Sequence, residues 1–267
     1  MLALCNGMPR AGSTLQYNIA RCLVEKGGLG QAEAFITADK DHAKRIEKAR
    51  LTGWATDDPW HVAKTHEVFD ALPELLDGGR TRVLYVYRDL RDVAVSIKRA
   101  FAATGDELMR RVVEGVEWYE RLDALRSSHP TCFLWVRYED MYADLPSAIQ
   151  ATADFLHLNA SDAVLGAVHA ECRIETAENM TRAAKRELAR VITGLRKQSP
   201  ERANAFAAQV RHAGWAVQES LLHHHHISSR HGEPGGWREL LPEDEAGLIA
   251  ERFREWLVAG GYAVDTC

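Results

Sequence analysis

A glycine loop lies between a short apolar segment and a helical segment at the start of this chain, and it limits the folds available. Residues 2–5 are a candidate buried strand, and residues 14–26 have helical apolar spacing. Between them, GMPRAGST matches the phosphate-binding pattern GxxxxGK[ST] except at Ser13, which occupies the lysine position. Such glycines let backbone N–H groups and a helix N-terminus face an anion. The pattern predicts a phosphate loop; the alternative is a strand–turn–helix corner with incidental glycines.

Further strands and helices alternate after this loop. Residues 82–87 and 132–138 are continuous β-branched and aromatic runs, which are typical of parallel strands covered on both faces. A short extended piece is predicted at 61–64, and helices are predicted at about 40–50, 67–76, 90–102, 106–127 and 145–157. This order predicts a three-layer α/β fold with a central, mainly parallel sheet flanked by helices.

The second half of the chain has a different pattern. Residues from about 161 to 222 are helical and polar, GEPGG at 232–236 is a loop, and 242–260 is predicted as a terminal helix. We find no internal repeat or linker. We therefore expect one domain over residues 1–267 that carries a helical excursion.

The composition excludes several classes of protein. With 46% hydrophobic and 27% charged residues, the chain is neither disordered nor fibrous. The net charge of −5 argues against a nucleic-acid partner, although it leaves a small anionic ligand possible. No apolar run approaches the ~20 residues of a membrane span. The five scattered cysteines and the short apolar start lead us to expect a cytoplasmic protein.

The missing lysine distinguishes two kinds of phosphate chemistry. Enzymes that cleave ATP or GTP use a cation at the β- and γ-phosphates and a Mg²⁺ held partly by an acid. Here Ser13 replaces the lysine, and the strand at 82–87 runs into Arg88. The loop therefore favours a nucleotide that binds without a metal, with Arg10 supplying the charge. The run at 223–226 predicts no metal site, because adjacent histidines rarely converge on one ion.

Four motifs carry a family resemblance. PRAGST, YRDLRDVAVS, RYEDM and RHGEPGGW follow one another between residues 7 and about 238. In this order they resemble the motifs of the nucleotide-dependent sulfotransferases, whose sulfuryl donor is 3′-phosphoadenosine 5′-phosphosulfate (PAPS). The resemblance implies a P-loop NTPase-like sulfotransferase fold, PAPS as co-substrate, adenosine 3′,5′-bisphosphate (PAP) as product, and no metal.

The resemblance also assigns the nucleotide to particular residues. The glycine loop would cradle the 5′-phosphosulfate. Arg88 and Ser96 would bind the 3′-phosphate, and Tyr138 would be directed towards the adenine. The late loop, RHGEPGGW at residues 230–237, would close on the 3′-phosphate. The cofactor-binding set is therefore Arg10, Ala11, Gly12, Ser13, Thr14, Arg88, Ser96, Tyr138, Arg230, His231 and Gly232. From the residues alone, Arg88 could instead form an ion pair with Asp89 or Asp92, and Tyr138 could be a packing residue at a strand end.

The catalytic residues are implied by a further short motif. Lys64-Thr65-His66 resembles the KTH/KSH element of cytosolic sulfotransferases, in which the histidine is the base and the lysine touches the sulfuryl group. Arg10 and Lys64 would stabilise the leaving phosphate. The alternatives are that His66 only caps the next helix, or that a nearby carboxylate of Glu67 or Asp70 is the base.

The resemblance leaves the acceptor open. Acceptor pockets in this family come from variable segments, here about 30–60 and 174–225, and the polar composition of residues 173–215 favours a saccharide-like acceptor over a flat phenol. We expect a small-molecule or saccharide-like acceptor sulfated on a hydroxyl or amine. The alternative functions are a nucleotide or adenylyl-sulfate kinase and a PAP-binding protein without turnover.

Overall fold

Five parallel strands form the centre of the computed structural model, which describes residues 1–37, 46–213, 220–223, 226–227, 230 and 232–264. The strands are β1 (Leu2–Gly7), β2 (Gly30–Phe35), β3 (Trp60–Lys64), β4 (Thr81–Tyr87) and β5 (Phe133–Arg137). They lie in the order β2-β3-β1-β4-β5, and every neighbouring pair is parallel. The predicted α/β class is confirmed.

The sheet separates two apolar layers. All six residues of β1 are buried, and because successive side chains of a strand point to opposite faces, they divide between the layers. Leu2 and Leu4 belong to one core cluster, whereas Ala3 and Cys5 belong to the other. The continuous apolar runs of the sequence therefore correspond to strands covered by helices on both faces.

Thirteen helices lie in the described part of the chain. They are α1 (Ser13–Lys26), α2 (Lys48–Thr56), α3 (Leu72–Asp77), α4 (Leu90–Phe101), α5 (Gly105–Ser128), α6 (Tyr138–Ala143), α7 (Leu145–Phe155), α8 (Asp162–Cys172), α9 (Ile174–Gln198), α10 (Pro200–Ala213), α11 (Trp237–Leu240), α12 (Glu243–Arg252) and α13 (Arg254–Ala259), with a 3₁₀ turn at Pro130–Cys132. None of these described helices is long and apolar enough to cross a bilayer. The predicted helical excursion contains α8, α9 and α10.

Several elements differ from the sequence-based expectation. The edge strand β2, GQAEAF, was not predicted because it contains no β-branched residue. The helix expected at 67–76 begins only at Leu72, since the preceding segment is a turn in which Thr65 Oγ1 accepts from the Glu67 N–H. The helix expected at 242–260 is divided at Phe253. Part of the helix expected at 40–50 lies outside the described residues, and α2 begins at Lys48.

The strand order brings the candidate site residues to one edge. Strand β1 lies between β3 and β4, so the segments that follow these three strands leave the same edge of the sheet side by side. In open α/β folds, ligands bind at the carboxyl edge where the strand order reverses. The glycine loop, the KTH segment and the start of the YRDLRDVAVS motif meet there.

Candidate active site

The glycine loop begins where β1 ends at Gly7 and closes where α1 begins at Ser13. Two of its residues have left-handed backbone angles, Arg10 with φ 71° and Gly12 with φ 95°. A Cβ at Gly12 would lie 2.4 Å from Tyr138 Cδ2, so both the angle and the close approach require glycine. No side-chain hydrogen bond from the described residues caps the N-terminus of α1. Its positive end therefore faces the loop, as a phosphate loop needs.

The Arg10 side chain crosses from the glycine loop to α4. Its Nε donates to Ser96 Oγ at 3.0 Å, although Ser96 lies 86 residues away in the sequence. Burial, together with the charges of Arg99 and Arg88, lowers the pKa of Arg10 to about 10. A guanidinium next to like charges is a place where an anion binds favourably.

Arg88 lies at the centre of the site and is only 9% exposed. Its Nη2 donates to the carbonyls of Gly232 at 3.3 Å and Glu233 at 3.4 Å, and its guanidinium carbon lies 4.3 Å from the centre of the Tyr138 ring. Its Nε is buried and has no hydrogen-bond partner among the described residues. A buried N–H without an acceptor costs free energy, which a bound acceptor would recover.

The alternative of an ion pair for Arg88 holds only in part. Asp92 Oδ2 lies 3.5 Å from Arg88 Nη2, but Asp89 pairs with Arg91 at 2.7 Å. Asp92 is buried and accepts from the backbone N–H groups of Gly235 at 2.7 Å and Trp237 at 2.9 Å. The acid therefore holds the late loop against α4 as well as facing Arg88.

Tyr138 contacts both the glycine loop and the late loop. It is the first residue of α6 rather than the end of a strand, and its hydroxyl donates to the Gly232 carbonyl at 2.9 Å. Gly232 has φ 81°, and a Cβ there would lie 2.5 Å from the Tyr138 hydroxyl oxygen. Burial raises the pKa of Tyr138, so its hydroxyl stays protonated and able to donate.

The other residues of the late loop differ in their surroundings. Arg230 forms ion pairs with Glu233 at 3.2 Å and with Glu239, while its Nε is buried without a partner among the described residues. His231, which the resemblance places in the cofactor-binding set, lies outside the described residues.

His66 and Lys64 form a pair beside the glycine loop. His66 Nδ1 lies 2.8 Å from the Gly7 carbonyl, and His66 Nε2 lies 3.2 Å from Lys64 Nζ. Because a carbonyl only accepts, Nδ1 carries the proton and Nε2 accepts from the ammonium. Burial and the charges of Lys64 and Arg10 lower the pKa of His66 to about 3, despite the opposing hydrogen bond to Gly7. The imidazole is therefore neutral at pH 7.

His66 does not cap the next helix, and the nearby carboxylates lie in different settings. The N-cap of α3 is Ala71, five residues beyond His66. Glu67 is half-buried and accepts from the Thr37 hydroxyl, whereas Asp70 is exposed.

The sequence profile of the Sulfotransferase domain matches residues 3–261, nearly the whole chain. The chain belongs to the sulfotransferase domain family. This sulfotransferase domain is 26% identical to human Sulfotransferase 4A1 over 124 residues, which are 42% of this chain and 44% of that protein. It is 28% identical to the flavonol 3-sulfotransferase of Flaveria bidentis over 108 residues, 34% of this chain and 35% of that protein. The matches thus span less than half of these characterised relatives.

Solved structures share the fold of this sulfotransferase domain. Retinol dehydratase in complex with androsterone and the inactive cofactor PAP has a TM-score of 0.56 and 16% identity, covering 96% of this chain and 80% of that chain. Retinol dehydratase with retinol and PAP gives 0.56 and 17%, covering 96% and 81%. Identities this low show the fold alone.

Two residues near the sulfotransferase motifs were missed or misjudged by the sequence reasoning. The sequence indicated Asp92 only as an ion-pair partner of Arg88, whereas it lies in the first turn of α4, just after Arg88, and also holds the late loop. Arg99 was not considered. It follows Ser96 by one turn of α4, and its Nη2 donates to the His226 carbonyl at 3.1 Å.

The residue types that commonly bind metals form no cluster in the part of the chain that the structure describes. In the described parts of this sulfotransferase domain, no three His, Cys, Asp or Glu side chains are grouped as metal ligands. Within the histidine run, His226 Nδ1 accepts from the backbone N–H of His223 at 3.1 Å, and positions 224 and 225 lie outside the described residues.

Proposed function

We propose that this chain transfers a sulfuryl group from PAPS to a hydroxyl or amine of a small-molecule or saccharide-like acceptor, in line and without a metal. The observation that carries the proposal is the cluster of buried Arg88 with half-buried Arg10 and Ser96 beside the glycine loop, in a chain of the sulfotransferase family. A polyanionic nucleotide fits this cluster because it supplies the acceptors and negative charge that the guanidinium groups lack.

The proposed nucleotide contacts follow from the geometry of the loops. In this proposal the backbone of residues 10–14 and the N-terminus of α1 bind one phosphate, and Arg88 with Ser96 binds another. Among the described residues, the Nε atoms of Arg88 and Arg230 have no acceptor, so they are donors that the ligand could engage. PAP is present in both retinol dehydratase structures that share this fold, which supports a nucleotide of this class.

His66 is the proposed base and Lys64 its partner. The neutral imidazole has its lone pair on Nε2, which is bonded to the Lys64 ammonium. When Lys64 turns towards the negative charge of the donor, Nε2 becomes available to the acceptor's proton. The same negative charge offsets the cations that depress the pKa of His66, so the imidazole becomes a stronger base in the loaded site. Lys64 and Arg10 then stabilise charge on the leaving phosphate.

The acceptor class is proposed from the relatives and from the composition. One relative is named a flavonol sulfotransferase, and the fold neighbour binds retinol and androsterone. Flavonols, retinol and androsterone all carry hydroxyl groups. The polar composition of residues 173–215 also favours a saccharide-like acceptor. A hydroxyl is the common chemical feature.

A transfer assay with ³⁵S-labelled PAPS, with and without EDTA, tests the proposal. The acceptor panel contains phenols, sterols, retinoids and oligosaccharides. We expect labelled product from at least one acceptor and no effect of EDTA. ATP-dependent transfer abolished by EDTA would instead indicate the kinase, and tight PAP binding without transfer to any acceptor would indicate the sensor.

We also propose that the chain acts as one domain over residues 1–267, in the cytoplasm. The four cysteines that the structure describes are free and buried, which suits a reducing compartment. Fractionation of cells that express the full chain tests the location.

A further inference from the structure

Helix α4 presents two polar side chains to the candidate nucleotide site. Ser96 accepts from Arg10, and Arg99 follows three residues later. Residues three apart on a helix lie on the same face, about 5–6 Å apart at Cβ. Arg99 is therefore a neighbour of the serine that the proposed function assigns to the 3′-phosphate.

Three guanidinium groups gather at this face of α4. The positive charges of Arg88 and Arg99 both act on Arg10, and that of Arg88 also acts on Arg99. Burial and this repulsion lower the pKa of Arg99 as well. The group is held at the mouth of the site, where its Nη2 donates to the His226 carbonyl at 3.1 Å.

The acids next to these arginines are already engaged. Asp92 accepts from two backbone N–H groups of the late loop, and Asp89 is bonded to Arg91. The buried Nε of Arg88 has no hydrogen-bond partner among the described residues. Asp92 also faces Arg88 at 3.5 Å and offsets part of its charge. The mutual repulsion of the three guanidinium groups and the unpartnered Nε of Arg88 are features that a doubly charged anion would complete.

We infer that Arg99 is a further guanidinium of the site that Arg88 and Ser96 form for the 3′-phosphate, and that it makes the protein select nucleotides carrying this phosphate. This inference rests on the proposed function. A terminal phosphate carries between one and two negative charges at pH 7. Arg230 of the late loop is already paired with Glu233 and Glu239, so Arg88 and one hydroxyl leave part of the phosphate charge uncompensated. Arg99 supplies a further cation from the solvent side.

The experiment compares PAP with adenosine 5′-monophosphate, which lacks the 3′-phosphate, by calorimetric titration of the wild type, Arg99→Ala and Arg99→Lys. We expect Arg99→Ala to weaken PAP binding about tenfold or more and to change binding of the monophosphate by less than about twofold. Arg99→Lys should retain part of the PAP affinity, because it keeps the charge and loses the planar fork.

Lys98→Ala is the matched control, since it removes one positive charge from the same turn of α4. Lys98 is paired with Glu245, so both affinities should change by less than about twofold. Thermal melting of each variant confirms that it is folded. Equal weakening of both nucleotides by Arg99→Ala, or no weakening of either, would overturn the role of Arg99. A wild type that does not prefer PAP over the monophosphate would instead overturn the proposed nucleotide site itself.

Discussion

At the scale of single residues, the proposed sulfuryl transfer depends on the protonation state of His66. Its Nδ1 is fixed by the Gly7 carbonyl, so only Nε2 can take a proton. We predict that His66→Ala lowers turnover by about 10²–10⁴, the usual contribution of a general base, and leaves the affinity for PAP nearly unchanged. Steady-state kinetics and calorimetry measure the two effects.

The control for this variant is His129→Ala. His129 is bonded to Asp77 on the surface and lies at the end of α5. It should retain full turnover. Turnover of His66→Ala within about threefold of the wild type would remove His66 from the mechanism and direct attention to Glu67.

The depressed pKa of His66 also predicts a pH dependence. The pKa falls from 6.5 to about 3, so folding favours the neutral form. Above pH 6.5, His66 is neutral in both the folded and the unfolded chain and costs no stability. As the pH falls from 6.5 towards 3, only the unfolded chain takes up the proton, so the free energy of unfolding decreases. Urea titrations of the wild type and His66→Gln between pH 7 and about 4 should show a smaller loss of unfolding free energy in the variant. Parallel losses would contradict the shift.

Gly12 is a residue of the glycine loop that cannot be replaced without strain. Its φ of 95° and the Tyr138 ring exclude a Cβ, so Gly12→Ala should lower the unfolding free energy by more than about 1 kcal/mol and weaken PAP binding. Gly53→Ala is the control: a Cβ there meets no atom within 4 Å, and its helical position should make alanine neutral or stabilising. Equal effects of the two variants on unfolding in urea would contradict this account.

At the scale of elements, Asp92 connects helix α4 to the late loop. One carboxylate accepts from Gly235 and Trp237, which are more than 140 residues away in the sequence. We predict that Asp92→Asn speeds hydrogen exchange of these two amides and weakens PAP binding, because an amide group offers only one accepting oxygen.

The control for the loop is Asp144→Asn, which alters an exposed cap of α7 instead. It should change exchange only near Ser147. Unchanged protection of the Gly235 and Trp237 amides in Asp92→Asn would show that other contacts hold the late loop.

Local patterns predicted the elements whose residues carry their own signal. Strands β1, β4 and β5 are apolar runs, and α4 and α5 begin and end close to the predicted positions. Strand β2 was missed because its place at the sheet edge is decided by pairing with β3, not by its composition. The segment before α3 was wrongly predicted as helix because its turn depends on contacts with Asn6 and Thr65.

At the scale of the whole molecule, the overall charge and the local charge have opposite signs. The chain carries a net charge of −5, yet Arg10, Arg88 and Arg99 gather at one edge of the sheet. A ligand that binds only the folded state raises its stability, by about 2.7 kcal/mol at a hundred times its Kd. We therefore predict that PAP raises the Tm of the wild type by several degrees, with or without EDTA.

Thermal melting with ATP and Mg²⁺ is the control for this measurement. It should give a much smaller shift than PAP at equal concentration, since the loop has no lysine for the β- and γ-phosphates. A larger shift with ATP and Mg²⁺ than with PAP would favour the kinase alternative.

The sequence by itself determined the α/β class, the loop at residues 7–14 and the family, because these depend on local spacing and on the order of motifs along the chain. Only the tertiary structure decided which of those residues meet. It brings Arg10 to Ser96 and Tyr138 to Gly232. It also brings Arg99 near Arg10 and Arg88. Contacts between residues so distant in sequence follow from strand order, and burial then sets their charges. The depressed pKa of His66 arises in the same way, from burial and from neighbours that only the folded chain supplies.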